Sequence, residues 1–565
     1  MYRLLRNRTF QGNLTLLYRK NLKFCQDKSR FFLYNNKKRK VMKMEIQILL
    51  ILWVILYGIY FYRKTKNGLH MLQLESYKNK RYFKWIKNNI KKVIQLNEIC
   101  LIILCLILVF IHQEFLGLIL LNVVYFTLLI VKKEEKAKKP FVMTNRIKRM
   151  YITYAIIHVI VIAIFGLINH KILLTLLTTF TIFSYFMVIL VNLINSPIEK
   201  GIQKKFMIKA KRKLEEMPNL KVIGITGSYG KTSTKYIVTT ILSQKYNVLM
   251  TPESFNTTMG VVRTINEKLS PTHNLFVCEM GAKQIGDIKE ICDLVKPDYG
   301  ILTAIGPQHL ETFKTIENVA KTKLELVDAL PEEEGIAYIN FEDENIQKAN
   351  ITKRTIKYGF DQQCDYYARN IDINQRGSSF EVCSKTGECY PVVTKLLGKH
   401  HILNIVAGVA IASNLGLKKE EIALGVKMLK PVPHRLELIQ NANGNIIIDD
   451  AYNSNSSGAK MALEVLGNFQ DRQKILVTPG IVDLGECAKE YNQLLGEQAS
   501  EVADYIILVG EKQAQPILEG LVKKKYPKEK IFIAKNLKEA LNKMNEIAGN
   551  NSVILLENDL PDNYI

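Results

Sequence analysis

Five long apolar runs lie in the first 200 residues, at 46–62, 99–111, 115–131, 152–168 and 172–194. They constrain this region strongly, because backbone surrounded by hydrocarbon must satisfy its own N–H and C=O groups, as a helix does. Spanning a bilayer takes about 20 apolar residues, with about 17 as the lower end. The second run is short and must borrow flanking residues such as Val93 and Leu96. Short polar links at 112–114 and 169–171 join two pairs of runs. The sequence therefore predicts an all-α transmembrane module over residues 45–200, with about five helices and two hairpins. Buried helices of a water-soluble core are the weaker alternative, since five such runs precede any mixed-composition sequence.

Charge sets the orientation. Segments 63–98, 132–150 and 197–213 carry ten, eight and seven Lys/Arg, while the hairpin links are nearly bare. Positive loops stay on the cytoplasmic side. The reading is a multi-pass cell-membrane protein whose remainder lies in the cytoplasm. The 77–87 segment mixes aromatics with Lys and reads equally as a headgroup-level stretch or a solvated loop. Residues 1–44 form a basic N-terminal segment that an odd number of spans would place outside. Two readings stay open for it: a true translation start at Met42 or Met44, or a basic tail.

The net charge of +25 divides unevenly. Residues 1–213 hold 39 Lys+Arg against 8 Asp+Glu, and the rest hold 39 against 45. A mildly acidic C-terminal portion disfavours nucleic acid, and the Lys-rich loops suit a membrane surface. The nine Cys show no C-x-x-C spacing and are expected to be reduced thiols.

After Arg212 strands alternate with helices, the pattern of an α/β domain. The stretch Gly224-Ile-Thr-Gly-Ser-Tyr-Gly-Lys-Thr-Ser-Thr234 follows a β-branched run and opens a predicted helix over 232–243. Strand, glycine turn and helix aim backbone N–H groups and a helix N-terminus at phosphate. Thr226, Gly227, Ser228, Gly230, Lys231, Thr232 and Ser233 make up this ATP-binding segment. Lys231 would reach the β/γ-phosphates and the Thr232 hydroxyl would ligate Mg²⁺. An ordinary glycine turn does not require a Lys-Thr pair at the helix start. Strands are also predicted over 275–279 and 299–305, a helix over 316–329, and inserted strands between 365 and 397. Glu279 then ends a strand on the ligand edge of the sheet.

This loop resembles that of the Mur ligase family, the ATP-dependent amide-forming enzymes of peptidoglycan precursor synthesis. Phe255-Asn-Thr-Thr-Met-Gly260 and Cys278-Glu-Met-Gly-Ala282 are similar to its D-alanyl-D-alanine-adding branch. The resemblance covers about 221 to the C-terminus. It implies a P-loop central domain over 218–428 and a Rossmann-like C-terminal domain over 429–565. It further implies two Mg²⁺ ions, with Glu279 and Thr232 at the first and His309, in Gly306-Pro-Gln-His-Leu-Glu311, at the second. Lys323, in Val319-Ala-Lys-Thr-Lys-Leu-Glu325, matches the family lysine that takes up CO₂ as a carbamate, giving the anionic oxygen that an amine lacks. Asn256 and Thr257 match the loop beside the acyl substrate. Asn404, in Leu397-Gly-Lys-His-His-Ile-Leu-Asn404, matches an adenine contact, although His401 stands where an Asn is usual.

In the C-terminal part, His434-Arg-Leu-Glu437 and Ile448-Asp-Asp-Ala-Tyr-Asn-Ser-Asn455 are close to family motifs. They imply Arg435 on the γ-phosphate, Asp450 at the ribose or its loop, and Tyr452, Asn453 and Asn455 lining the cleft. A surface Arg and an Asx-turn are the bland readings. Pro479-Gly480, and Glu557 and Asp559 where a Lys-Gly-Ser type motif is usual, depart from the branch and bear on the amine substrate. The resemblance implies an acyl-phosphate ligase joining a small-molecule or lipid-linked wall precursor to an amino acid or dipeptide. A Mur-like ligase for a poly-amino-acid or folate-type carboxylate, and an NTP-binding membrane regulator without ligase activity, are the rivals.

Overall fold

A computed structural model describes residues 8–111, 113–131, 140–308, 310–374, 377–440, 444–451, 455–482, 484 and 487–558. The chain divides into two compact units, one ending at Gly201 and one beginning at Ile202.

Among the described residues the first unit is helical: α1 (Arg8–Leu74), α2 (Asn79–Asn88), α3 (Ile90–Val93), α4 (Leu96–Phe110), α5 (Glu114–Val131), α6 (Asn145–Phe165), α7 (His170–Ile182) and the start of α8 (Ser184–Glu215). Among the described residues four helical stretches, 37–74, 90–110, 114–131 and 145–165, are long and apolar enough to cross a membrane, or five if one bent pair counts as a single span. That bent pair occupies the fifth expected run. The run 172–194 breaks at Phe183, and α7 and α8 meet at 89°. The end of α7 is held by side chains from elsewhere: Lys64 Nζ donates to the Thr181 carbonyl at 3.2 Å and Tyr125 to its hydroxyl at 3.3 Å. Lys64 also pairs with buried Glu98 at 3.0 Å, which removes the isolated charge that burial would penalise. The 77–87 stretch forms most of α2, with Tyr82 and Ile86 buried, rather than a solvated loop.

The second unit carries two sheets. The first has nine strands in the order β2-β3-β1-β4-β5-β6-β7-β8-β9. They are β1 (Lys221–Thr226), β2 (Val248–Met250), β3 (Leu275–Glu279), β4 (Tyr299–Leu302), β5 (Ile336–Asn340), β6 (Thr355–Gly359), β7 (Tyr366–Asn374), β8 (Gly377–Ser384) and β9 (Cys389–Thr394). Pairing is parallel from β2 through to β7 and antiparallel for β7–β8 and β8–β9. The chain leaves β1 to one side and later returns on the other, so the loop after β1 opens at a switch point, where α/β sheets bind ligands. The predicted inserted strands thus extend this sheet. Cys383 and Cys389 stand opposite each other across β8 and β9 and are disulfide-bonded, which corrects the expectation of reduced thiols for this pair.

The helix after the loop, α9 (Lys231–Leu242), packs on the helix Lys399–Asn414. The two close together at Gly408, where a Cβ would stand 2.9 Å from the Ile241 side chain. The second sheet has the order β10-β11-β15-β12-β13-β14: β10 (Glu437–Gln440), β11 (Ile446–Asp450), β12 (Gln473–Thr478), β13 (Tyr505–Val509), β14 (Ile531–Ala534) and β15 (Ser552–Glu557). Only β10 is antiparallel to its neighbour. Buried apolar side chains fill the spaces between each sheet and its helices.

Candidate active site

The loop after β1 is stitched to the end of β4. Ser228 N donates to the Ala304 carbonyl at 2.7 Å, and the Ser228 hydroxyl donates to the Gly306 carbonyl at 3.0 Å. Thr303 donates to the Thr226 carbonyl at 3.2 Å. This side-chain hook is where β4 stops, three residues before the expected end. Gly227 has φ +152°, and a Cβ there would meet the Thr303 hydroxyl at 2.0 Å, so only glycine fits the turn. Gly230 caps α9 in the left-handed region at φ +77°. Together they leave the start of α9 open as an anion site.

Lys231 folds back over this loop and donates to the carbonyls of Gly227 at 2.6 Å and Ser228 at 3.1 Å. Burial lowers its pKa to about 8, against the pull of Glu279 and aided by the charge of Arg435. The cation is thus held by neutral carbonyls, which an incoming phosphate can replace. Thr226 is used differently from the expectation: its buried hydroxyl donates to the Met280 carbonyl at 2.9 Å and builds the loop. Ser233 sits nearly buried in the first turn of α9.

Glu279 ends β3 with 1 % exposure. Its Oε1 accepts from the Thr232 hydroxyl at 3.2 Å and from Asn256 Nδ2 at 2.9 Å. A buried carboxylate and a hydroxyl at this spacing form the hard-oxygen donor pair that suits Mg²⁺. Asn256 is fixed in turn, since its carbonyl accepts from Gly281 N at 2.7 Å and a Cβ on Gly281 would strike its amide. Thr257 does not share this role. Its hydroxyl caps the helix Thr258–Lys268 by accepting from Gly260 N at 3.4 Å.

Lys323 lies on the helix Ile316–Asp328 and is 1 % exposed. Burial, then the charge of Lys231, hold its pKa well below the ordinary lysine value. Among the described residues no carboxylate lies within ion-pair distance of it. Glu325 instead accepts from Gly286 N at 2.7 Å and Lys289 N at 2.9 Å, at the start of the helix Asp287–Val295. Burial thus favours the uncharged form of the Lys323 amine, the form that adds to CO₂. His309 lies outside the described residues.

Asn404 is buried beside the loop, with Oδ1 3.3 Å from where a Cβ of Gly230 would stand. His401 is buried against His400, with ring centres 4.1 Å apart. Arg435 follows the Pro431–Pro433 turn between two residues in the left-handed region, His434 at φ 59° and Leu436 at φ 48°. Non-glycine residues are held there only when their surroundings over-determine them. His434 Nδ1 contacts Asp449 Oδ2 at 2.7 Å, and Leu436 N donates to Asp450 Oδ1 at 3.3 Å. The charge of Arg435 pushes the pKa values of Lys231, Lys235 and Asp450 downward. Burial raises the pKa of Asp450, whose side chain is bonded to that of Glu557 on the neighbouring strand. Asn455 serves as a helix cap, accepting from Gly458 N at 2.8 Å. Tyr452 and Asn453 lie outside the described residues.

Two site residues, Lys235 and Tyr229, are not singled out by the sequence. Lys235 is a buried cation beside Glu279. The Tyr229 hydroxyl interacts with Ser456 and Ser457, at the start of the helix Ser456–Gly467 in the second sheet's domain. Glu557, already marked in the sequence as a departure from the family pattern, stands opposite Asp450 through the β11–β15 register. A lysine four residues after the loop lysine, on the same helix face, was the available signal for the first.

The Mur ligase middle domain model matches residues 225–412, and the Mur ligase, glutamate ligase domain model matches 434–557. The chain is similar to the UDP-N-acetylmuramoyl-tripeptide--D-alanyl-D-alanine ligase of Bacillus subtilis (strain 168), 29% identical over 62% of this chain and 75% of that enzyme. With the enzyme of the same name from Escherichia coli (strain K12) it is 32% identical over 52% of this chain and 65% of the relative, just under two thirds. Among solved structures it resembles MurF ligase from Thermotoga maritima in complex with ADP, at TM-score 0.57 and 26% identity, over 63% of this chain and 80% of that one. The two domain models together cover more than half of the sequence, and the loop, the buried glutamate and the buried lysine described above fall within the first of them: the chain belongs to the Mur ligase family.

Proposed function

We propose that the chain is an ATP-dependent, ADP-forming amide ligase of peptidoglycan precursor synthesis, acting through an acyl phosphate. The observation that carries this is the geometry of the phosphate loop, with Lys231 held over it by the Gly227 and Ser228 carbonyls and the Thr232 hydroxyl 3.2 Å from buried Glu279. The γ-phosphoryl group passes from ATP to a substrate carboxylate oxygen, releasing ADP. The amine nitrogen of the second substrate then bonds to the acyl carbon and phosphate leaves. Lys231 and Arg435 are the fixed cations on the transferring group. Asn404 is assigned to the adenine and Asp450 to the ribose side of the cleft. Thr232 and Glu279 would hold one Mg²⁺, and His309 with a carbamate on Lys323 the other, supplying charge neutralisation on the phosphate oxygens. The buried Lys323 amine, its pKa held down by burial, supports that carbamate, formed by addition of Nζ to CO₂ with loss of one proton.

By likeness to the named relatives, the substrates are a UDP-muramoyl tripeptide and D-alanyl-D-alanine. A lipid-linked muropeptide is the second reading. It is favoured by the first unit, whose described residues include four helical stretches long and apolar enough to cross a membrane, where a nucleotide-binding domain would otherwise be expected. On this reading the carboxylate is presented at the cytoplasmic face of the cell membrane, with the ligase domains in the cytoplasm. The pairing of Glu557 with Asp450, where the branch has a cation, argues for a changed contact to the amine substrate. The test is phosphate release by the full chain in detergent, with nucleotide-linked and lipid-linked muropeptides side by side. Turnover of the nucleotide form alone, unchanged after deletion of residues 1–200, would leave the first unit as an anchor only.

A further inference from the structure

Lys235 lies on α9 one turn after Lys231, and its side chain is wholly buried at 0 % exposure. Lysine is almost never so placed without a partner. Here Nζ stands 3.1 Å from Glu279 Oε2 and donates to the Glu253 carbonyl. Oε2 accepts no aligned hydrogen bond, so the ion pair is its one described contact. Oε1, by contrast, takes the Thr232 hydroxyl and the Asn256 amide at 3.2 and 2.9 Å. The two oxygens of one carboxylate are therefore divided, one toward the phosphate loop and one toward an internal cation.

We propose that Lys235 is a positioning residue that reserves Oε2, so that Glu279 offers a divalent cation one oxygen and not two. This rests on the reading of Glu279 as a metal ligand. Its consequence is selectivity. Mg²⁺ binds in near-octahedral geometry at about 2.0–2.1 Å, whereas Ca²⁺ takes six to eight oxygens at about 2.3–2.6 Å and readily uses both oxygens of a carboxylate. A glutamate confined to one oxygen suits the smaller ion. A buried pair that only fastens α9 to β3 would stabilise the fold without setting ion preference, and that difference is measurable.

The experiment uses the full chain in detergent with ADP, Mn²⁺ as the spectroscopic probe by electron paramagnetic resonance, and Mg²⁺ or Ca²⁺ as competitors. Lys235→Met is expected to shift the ratio of Ca²⁺ to Mg²⁺ affinity by roughly tenfold toward Ca²⁺, the lower end of what loss of a ligand's supporting partner does. Lys235→Arg, which refills the contact to Oε2, is expected to return the ratio toward that of the parent. A folded Lys235→Met protein with an unchanged ratio overturns the proposal and leaves a purely structural pair. If Lys235→Met does not fold, Lys235→Gln is read by the same two outcomes. Glu279→Gln separates the underlying reading: if it binds Mn²⁺ with ADP as the parent does, Glu279 is not a ligand and the inference about Lys235 falls with it.

Discussion

Thr232 donates to Glu279 Oε1 at 3.2 Å, joining the first turn of α9 to the end of β3. Neither group is near the other in sequence, and the pair forms only because β1 and β3 are adjacent and in register, with Ile225 opposite Glu279. If this pair holds Mg²⁺, Thr232→Val should raise the Mg²⁺ concentration needed for half-maximal turnover by roughly 10- to 100-fold, the range seen when metal-site partners are lost. A Mg²⁺ titration of purified protein checks this, and an unchanged requirement would remove Thr232 from the site.

Lys231→Ala removes the cation that the loop carbonyls hold ready. Loss of one such contact to a transferring group costs roughly 3–4 kcal/mol, or 10²–10³-fold in turnover. The expected result is that fall in kcat with the melting temperature retained. Near-normal turnover in folded protein would contradict the assignment of the phosphate loop.

Lys323→Ala should be nearly inactive, and a small carboxylate added to the buffer should restore part of the activity by taking the place of the carbamate. Full activity without any additive would end the carbamate reading.

His400 and His401 give a pH prediction. Burial lowers both pKa values, that of His400 from 6.5 to about 4. The unfolded chain then binds more protons than the folded one below about pH 6.5, so stability falls as pH drops from there toward 4. His401→Asn should flatten that fall in melting experiments between pH 7 and about 4.5. An unchanged slope would show that the histidines do not control it.

Much of this centre is legible in the sequence because its signals are local. A β-branched run, two glycines and a Lys-Thr pair specify β1, the loop and α9, and a charged residue closing a buried strand marks Glu279. Less visible were features decided by tertiary partners. Lys235 reads as a solvated helix lysine until β3 places a carboxylate against it. Thr257 and Asn455 also cap the helices that follow them, a role their sequence positions did not announce. The apolar run 172–194 reads as one helix, and its break at Phe183 coincides with contacts from Lys64 and Tyr125 that are remote in sequence. Cys383 and Cys389 meet only through the β8–β9 register.

The most direct test of the account is phosphate release by the purified full chain with ATP and Mg²⁺, given an acyl substrate, an amine substrate, both or neither. D-alanyl-D-alanine serves as the amine, with nucleotide-linked and lipid-linked muramoyl tripeptides as the two acyl substrates. Release is expected only when both substrates are present, with one amide bond formed per ADP and loss of both in Lys231→Ala. ATP hydrolysis that proceeds equally without either substrate, or no hydrolysis under any combination, would contradict it.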